Sequence, residues 1–407
     1  MAKVQTVAVR VESSLQDISP EDWNRCANPG WTMAADGTLT RTGDGENVET
    51  PFNPFLTHEF LWSLEESGCA TAETGWLAQH LVIDGPDDRP IGVLPCYLKN
   101  HSQGEYVFDW GWADAFERAG GRYYPKLQVS VPFTPANGRR LLTARPGDTE
   151  TQNLLAMSLT ELTARHGASS AHVTFLPDDE WHLLGEAGFL QRTDQQFHWF
   201  NRDYEDFDGF LADLASRKRK AVKKERRQAL ETGVEVEWLT GADIEERHWD
   251  AFYRFYMDTG SRKWGYPYLN RKFFSLVGER MADRILLVMA RRGEKYVAGA
   301  LNFIGSDALY GRHWGCIEYH PCLHFDLCYY QAIDFAISRG IDRVEAGAQG
   351  QHKLARGYVP VLTRSAHWIA NRSFRDAVEH YLDNERRSVE MDREILESHA
   401  PFRKSGG

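Results

Sequence analysis

Cysteine is scarce in this chain. Six residues in 407, Cys26, Cys69, Cys96, Cys316, Cys322 and Cys328, are too few to staple a fold of this length. That excludes a disulfide scaffold and fits a reducing compartment. No run approaches the ~18 apolar residues of a membrane span. The start Met1-Ala2-Lys3-Val4-Gln5-Thr6-Val7 alternates in the manner of a strand and lacks the apolar core of a signal peptide. The expectation is an uncleaved cytoplasmic protein. Positive charge is in deficit too: 47 Lys and Arg stand against 58 Asp and Glu, a net charge of −11, so the surface as a whole does not suit a polyanion. One local basic patch remains compatible with that balance. A Walker loop, a dinucleotide glycine fingerprint, a serine elbow and a C-x-x-C pair are also missing, which removes the common nucleotide, hydrolase and zinc-knuckle classes.

What is present is enough apolar material, 42% of residues, to fill two cores of ordinary size. The two halves follow one order. In the first, strands around Leu81-Val82-Ile83 and Pro90 to Tyr97 lead to a helical run Leu154 to Arg165, the strand His172 to Phe175, then Gly188-Phe189 and His198-Trp199. In the second, a hairpin Ile285 to Ala290 and Val297 to Ile304 leads to a helical run Tyr329 to Arg339 and the strand Arg343 to Glu345. Gly357-Tyr358 and His367-Trp368 then repeat the earlier pair at the same spacing. This predicts a duplicated α/β unit: an N-terminal domain over 1–203, a basic amphipathic helix over 204–233 opening the second domain, and a C-terminal domain over 234–407 ending in a charged helix.

Phe207, Phe210, Leu211, Leu214, Ala221, Val222, Ala229 and Leu230 recur at helical spacing, so one long helix is expected from Tyr204 to Glu231. Eight basic residues and a single acidic one, Glu225, lie between Arg217 and Arg227. Two readings are open: a solvated helix face, or an anion site in which Arg217, Lys220, Lys224 and Arg227 form a stripe for phosphates of tRNA, coenzyme A or an anionic headgroup.

The richest chemistry lies between Tyr310 and Tyr358, where histidines, arginines, tyrosines and carboxylates surround Gly347-Ala348-Gln349-Gly350-Gln351-His352-Lys353. Side chains that are costly to bury unpaired, set among glycines and aromatics, predict a lined pocket. Chemistry by proton transfer needs a base, a donor to the developing negative charge and an acid for the leaving group. Glu345 or His352 suits the base, Lys353 and Arg356 the oxyanion or a substrate anion, and Tyr329 or Tyr330 the acid. The candidate catalytic set is Glu345, His352, Lys353 and Tyr330. The candidate substrate-binding set is Arg312, Trp314, His324, Tyr329, Gln349, Gly350 and Arg356, with Asp109, Trp112 and Lys126 forming a second surface in the first half. Each has a plainer reading, as a surface pair, a loop histidine or core filling. His313, Cys316, His320, Cys322, His324 and Cys328 supply zinc ligands by count. Strand periodicity puts His320, Cys322 and His324 on one face, unlike a knuckle, so no metal is expected.

At Arg217 to Arg227, Leu309-Tyr310-Gly311-Arg312-His313-Trp314-Gly315, Leu323 to Gln331 and Gly347 to Tyr358 the chain resembles a bacterial family. The same holds at Phe108 to Asp114, Tyr123-Tyr124-Pro125-Lys126 and Pro132-Phe133-Thr134-Pro135. It is similar to the Fem-like peptidoglycan biosynthesis/recognition family, grouped with GNAT-type N-acyltransferases. The resemblance implies an α/β (α+β) fold of two tandem GNAT-like domains, with mixed sheets flanked by helices. It implies transfer of an acyl or aminoacyl group to a small-molecule amine acceptor or a cell-wall precursor, with acyl-CoA or aminoacyl-tRNA as donor. The chain departs from GNAT enzymes at His320-Pro321-Cys322-Leu323-His324-Phe325-Asp326, which has no glycine to cradle a pyrophosphate. Pro135-Ala136-Asn137-Gly138-Arg139-Arg140 is the nearest substitute. Two alternatives therefore stand beside the acyltransferase: a binding module on a GNAT fold that recognises an anionic cell-wall or amine-bearing ligand without chemistry, and a tRNA-dependent aminoacyl transferase.

Overall fold

A computed structural model of the chain describes residues 8–42, 50–231, 233–263, 267–347 and 350–403. The strand expected over residues 1–7 and the candidate Gln349 lie outside these. The chain divides into two compact units, one of residues 1–32, 39–194 and 363–388, the other of residues 33–38, 195–362 and 389–407. Both are mixed α/β, with sheets flanked by helices, as expected.

The first unit holds a small sheet of strands Val9–Glu12, His80–Asp84, Pro90–Leu94 and Leu142–Thr143. A larger sheet contains β1 (Cys96–Lys99), β2 (Lys126–Val129) and β3 (Ser170–Thr174). β1 and β2 are antiparallel, β2 and β3 parallel, and β3 pairs antiparallel with residues 365–369. Period-two alternation divides this sheet sharply. Cys96, Leu127, Val129, Ala171, Val173 and Ala366 join the apolar core on one face, each large side chain contributing about 1.5–3 kcal/mol by burial. The other face carries Tyr97, Lys99, Lys126, Gln128, Ser170, His172, Thr174, Ser365 and His367, all buried. Trp110 and Trp112 open α1 (Trp110–Arg118), which leaves Trp110 exposed and Trp112 buried.

In the second unit the single helix expected over 204–231 is two helices, α2 (Phe207–Asp213) and α3 (Ser216–Leu230). The apolar spacing runs on across the break. Leu214 is nevertheless fully buried with extended backbone, bridged to Phe402, and the Ala215 amide donates to the Pro401 carbonyl. Tertiary pairing with the C-terminal segment thus overrides local helical propensity. Helix α4 (Glu246–Lys263) precedes an antiparallel meander, β4 (Ile285–Arg292), β5 (Lys295–Ile304) and β6 (Ala308–Cys316). The chain then passes through α5 (Gln331–Arg339) to β7 (Arg343–Glu345), which pairs parallel with β6. A parallel neighbour requires such a crossover. The turn before α5 is a five-residue π-helix, Asp326–Tyr330, after a single α turn Leu323–Phe325. The shared strand face expected for His320, Cys322 and His324 does not form, because Cys322 takes a left-handed φ of 64° and a helix starts at Leu323.

β7 also pairs antiparallel with residues 198–200, placing His198 opposite Glu345. Strand Leu190–Phe200 and β8 (Val359–Ile369) are both 11 residues long, each ends in a His-Trp pair followed by one residue, and each follows a glycine with φ near 90°, Gly188 or Gly357. Gly315 seats α4 on the sheet. A Cβ there would stand 2.2 Å from the Phe255 carbonyl oxygen, and backbone cannot rotate away as a side chain can. Gly315→Ala is expected to cost about 1–3 kcal/mol, as overpacking does; a urea midpoint equal to that of the unaltered chain would show that α4 slides freely.

Candidate functional site

The site of the second unit is built around the six-residue 3-10 turn Gln351–Arg356. Gly350 introduces it with φ of 107°, a value reached without strain only by glycine, and a Cβ there would strike the His352 ring. Arg356 is buried, with Nε and Nη2 donating to the Glu225 carboxylate at 3.1 and 2.9 Å and Nη1 to the His352 carbonyl at 2.6 Å. Its guanidinium lies 3.5 Å from the Phe325 ring centroid. Tyr330, also buried, donates to Glu225. The one acid of the basic run is thus the anchor that holds Arg356 and Tyr330.

His352 is exposed, and its Nε2 meets the Tyr329 hydroxyl at 3.0 Å. The imidazole is held below its ordinary pKa by partial desolvation, then by Arg356 and Lys353, so it is neutral near pH 7. Burial pushes the Tyr329 phenol well above its ordinary value, so it keeps its proton. His324 packs edge-on against Tyr329, with centroids 5.6 Å apart, and Trp314 packs edge-on against His324 at 5.2 Å. The structure therefore brings Trp314, His324, Tyr329, His352 and Arg356 together.

Lys353 points the other way. Its buried Nζ donates to the Ala346 and Gly347 carbonyls, at 2.5 and 3.0 Å, and burial pushes its pKa down to about 8. Glu345 is buried, accepting from Arg343 at 3.0 Å and lying 3.8 Å from His198 Nε2. Desolvation keeps His198 below its ordinary pKa. Arg312 is half-buried on β6 beside His313. Of the basic stripe, Lys220 and Lys224 are exposed and Arg227 pairs with Glu231 at 3.1 Å, while Arg226, outside the stripe, reaches Asp334 at 2.6 Å and Asp326 at 3.4 Å. Sequence reasoning missed Glu225, Arg226 and His198 as partners. The lone acid in a basic run and the repeated His-Trp pair were the available signals.

In the first unit Asp109 and Lys126 sit within the polar sheet face. Lys126 Nζ donates to Asp109 at 2.5 Å, Glu105 at 2.6 Å and Ser102 at 2.8 Å, and Tyr123 donates to Asp109 at 2.6 Å. Lys99, opposite Lys126 across β1 and β2, stands 3.3 Å from Glu105 and 3.2 Å above the Trp76 ring; burial pushes its pKa to about 7. Trp112 packs edge-on to His367, which meets His172 at 2.7 Å. These residues form a closed ionic network. The substitute pyrophosphate loop is closed as well: Arg139 and Arg140 spend their guanidinium donors mainly on backbone carbonyls, including those of Thr143, Thr174 and Ala136.

Among the described residues no group of three or more His, Cys, Asp or Glu is placed to hold a metal ion, and no helix is long and apolar enough to cross a membrane. The family model of FemAB-like proteins, described as peptidoglycan biosynthesis/recognition, matches residues 14–404. The chain belongs to that family. No curated protein sequence matches it significantly. Similar solved structures include FemX, at 13% identity with a TM-score of 0.49, covering 77% of this chain and 93% of that one. L-PGS from Bacillus licheniformis is 10% identical, with a TM-score of 0.48 and 88% and 100% covered. A tandem GNAT protein from the clavulanic acid biosynthesis pathway is 12% identical, with a TM-score of 0.45 and 90% and 98% covered.

Proposed function

We propose that the chain is an N-acyltransferase that moves an acyl or aminoacyl group from acyl-CoA or aminoacyl-tRNA to an amine, on a cell-wall precursor or a small molecule. Family membership supports the class. The observation that carries the chemistry is the 3.0 Å contact between Tyr329 and His352. A neutral imidazole accepts the proton of the attacking amine as the new N–C bond forms. The protonated phenol of Tyr329 gives its proton to the departing thiolate or ribose oxygen as the C–S or C–O bond breaks. Proton return from His352 to Tyr329 across their contact restores both groups. Lys353, whose buried Nζ donates to the Ala346 and Gly347 carbonyls away from this pair, is given no part in the proton transfers. Tyr329 suits the acid better than Tyr330, whose proton is committed to Glu225. His352 suits the base better than Glu345, which is buried against Arg343.

The test is product formation, by mass spectrometry, with each donor and a panel of amines. Tyr329→Phe and His352→Ala are each expected to lower kcat about 10²-fold, within the usual range for lost acid–base catalysis. The His352 shift has a signature: the rate rises with pH through a value below about 6.5 and is level above it. Undiminished turnover in both variants would sink the assignment. One observation favours a second reading, a binding module without turnover. The segment where GNAT enzymes carry a phosphate-cradling glycine turn is here a left-handed Cys322 leading into a π-helix. Product with any donor dismisses it.

A further inference from the structure

A cleft of about 310 Å³ opens between α3 and the 351–356 turn, lined by Arg217, Lys218, Ala221, Val222, Glu225, Ala355 and Arg356. Its floor is already neutral, since Glu225 and Arg356 satisfy each other. Its rim is not. Among the described residues Arg217 and Lys218 have no hydrogen-bond or ion-pair partner, whereas further along the same helix Lys223 pairs with Asp208, Arg226 with Asp334 and Arg227 with Glu231.

The placement sharpens the imbalance. Arg217 to Lys220 are four successive cations in the first turn and a half of a 15-residue helix, with no acidic residue in that turn and no side-chain cap on Ala215. The peptide dipoles make that end positive, so the cations there repel both one another and the helix terminus. An anion in the cleft relieves both. The cleft is at the lower end of the range of ligand sites and has room for a phosphate ester. Arg356 ties it to the chemistry, because the guanidinium on its floor also grips the His352 carbonyl. Of the stripe Arg217, Lys220, Lys224 and Arg227, only Arg217 lines the cleft, with Lys218 beside it.

We propose that this cleft is a phosphate subsite for the acyl donor, taking a phosphate ester of coenzyme A or of a tRNA acceptor end. The donor's identity rests on the transferase reading; phosphate binding does not. The experiment is calorimetric titration of the full chain at low salt with inorganic pyrophosphate, coenzyme A and an acceptor-stem RNA hairpin in separate arms. Pyrophosphate is expected to bind, and Arg217→Ala with Lys218→Ala to weaken it roughly tenfold or more, since each charge-assisted contact is strong. Ala221→Glu, a substitution a helix tolerates, is expected to weaken it similarly by putting a carboxylate in the cleft. Lys223→Ala should leave it unchanged. Displacement of pyrophosphate by coenzyme A alone names that source, and by RNA alone the other. RNA held only by the two rim cations would show a log–log salt slope of about −1.4, steepening if Arg219, Lys220 and Lys224 also engage phosphates.

Absence of binding by all three probes at millimolar concentration overturns the proposal. So does equal pyrophosphate affinity in the double variant and in Ala221→Glu. Acyl transfer with an unchanged donor KM in those variants removes the subsite and leaves the transferase reading standing. Pyrophosphate binding without any acyl product does the reverse.

Discussion

Lys126→Met is expected to destabilise the first unit by about 3–5 kcal/mol, the usual cost of removing one partner from a buried ion pair. Lys126 is fully buried, and its ammonium is shared by Asp109 and Glu105, themselves 2% and 4% exposed. With Lys99 the four charges cancel. Without Lys126, two carboxylates face one remaining ammonium, Lys99, which is 3.3 Å from Glu105 and itself held down to a pKa of about 7 by burial. The methionine fills the space, so the loss reports charge and not a cavity. A second substitution separates these terms: Asp109→Asn in the Lys126→Met background removes one of the stranded charges and should recover part of the loss. Denaturant unfolding followed by tryptophan fluorescence measures it. If the single variant unfolds within about 1 kcal/mol of the unaltered chain, the network is hydrated and not closed.

How much of this was legible depends on whether the cause is local. The hairpin Ile285 to Ile304 is read directly, because β-branched and apolar residues flank a turn at Gly293, and the structure gives β4 and β5 there. The strand Arg343–Glu345 and the helix ending at Arg339 follow the same local rules. The glycine-spaced run was legible as a special backbone, and Gly350 takes a φ that glycine alone reaches easily. What was not legible came from distant partners. Nothing near Leu214 announces a break; Pro401 and Phe402 cause it. The basic helix was visible as charge, but which cations are neutralised depends on Asp208, Asp326 and Asp334, brought in by folding. Asp109 and Lys126 were expected to form a second substrate-recognising surface with Trp112, and all three are buried. Here a sheet with one apolar face turns a polar face inward as well, and periodicity alone cannot distinguish that face from a solvated one. The repeated His-Trp pair carried more than its spacing. His198 stands beside Glu345, and His367 beside His172, so both copies place a histidine in a buried polar centre.

Those histidines set the acid limit of the fold. His172 and His367 are 2% and 1% exposed, are opposite one another across β3 and β8, and share a 2.7 Å Nδ1 contact that requires one ring to donate and the other to accept. The accepting ring is therefore unprotonated at that nitrogen, and burial disfavours a charge on either ring. Burial pushes His172 down to about 3, with Lys126 adding to the effect and Asp109 opposing it; His367 is driven well below its ordinary value by burial, then by His172 and Arg192, with Asp109 opposing. His198 is lowered in the same sense. The sign follows from linkage: the unfolded chain takes up these protons near pH 6.5 and the native chain does not, so stability is complete above about pH 6.5 and falls as pH drops below it. Each proton costs about 1.4 kcal/mol per pH unit, so the His172–His367 pair alone removes up to about 2.7 kcal/mol per pH unit. Buried Glu105, Glu180 and Asp326 have raised values and oppose this at more acid pH, because the native chain protonates them first. Their window opens above the ordinary carboxylate range and closes within it. Urea midpoints between about pH 7.5 and about pH 5 are therefore expected to fall steadily, and His367→Asn to flatten the slope by about half of the pair's share. A stability level across that interval would mean that the two rings are already protonated, or reached by water, in the native chain.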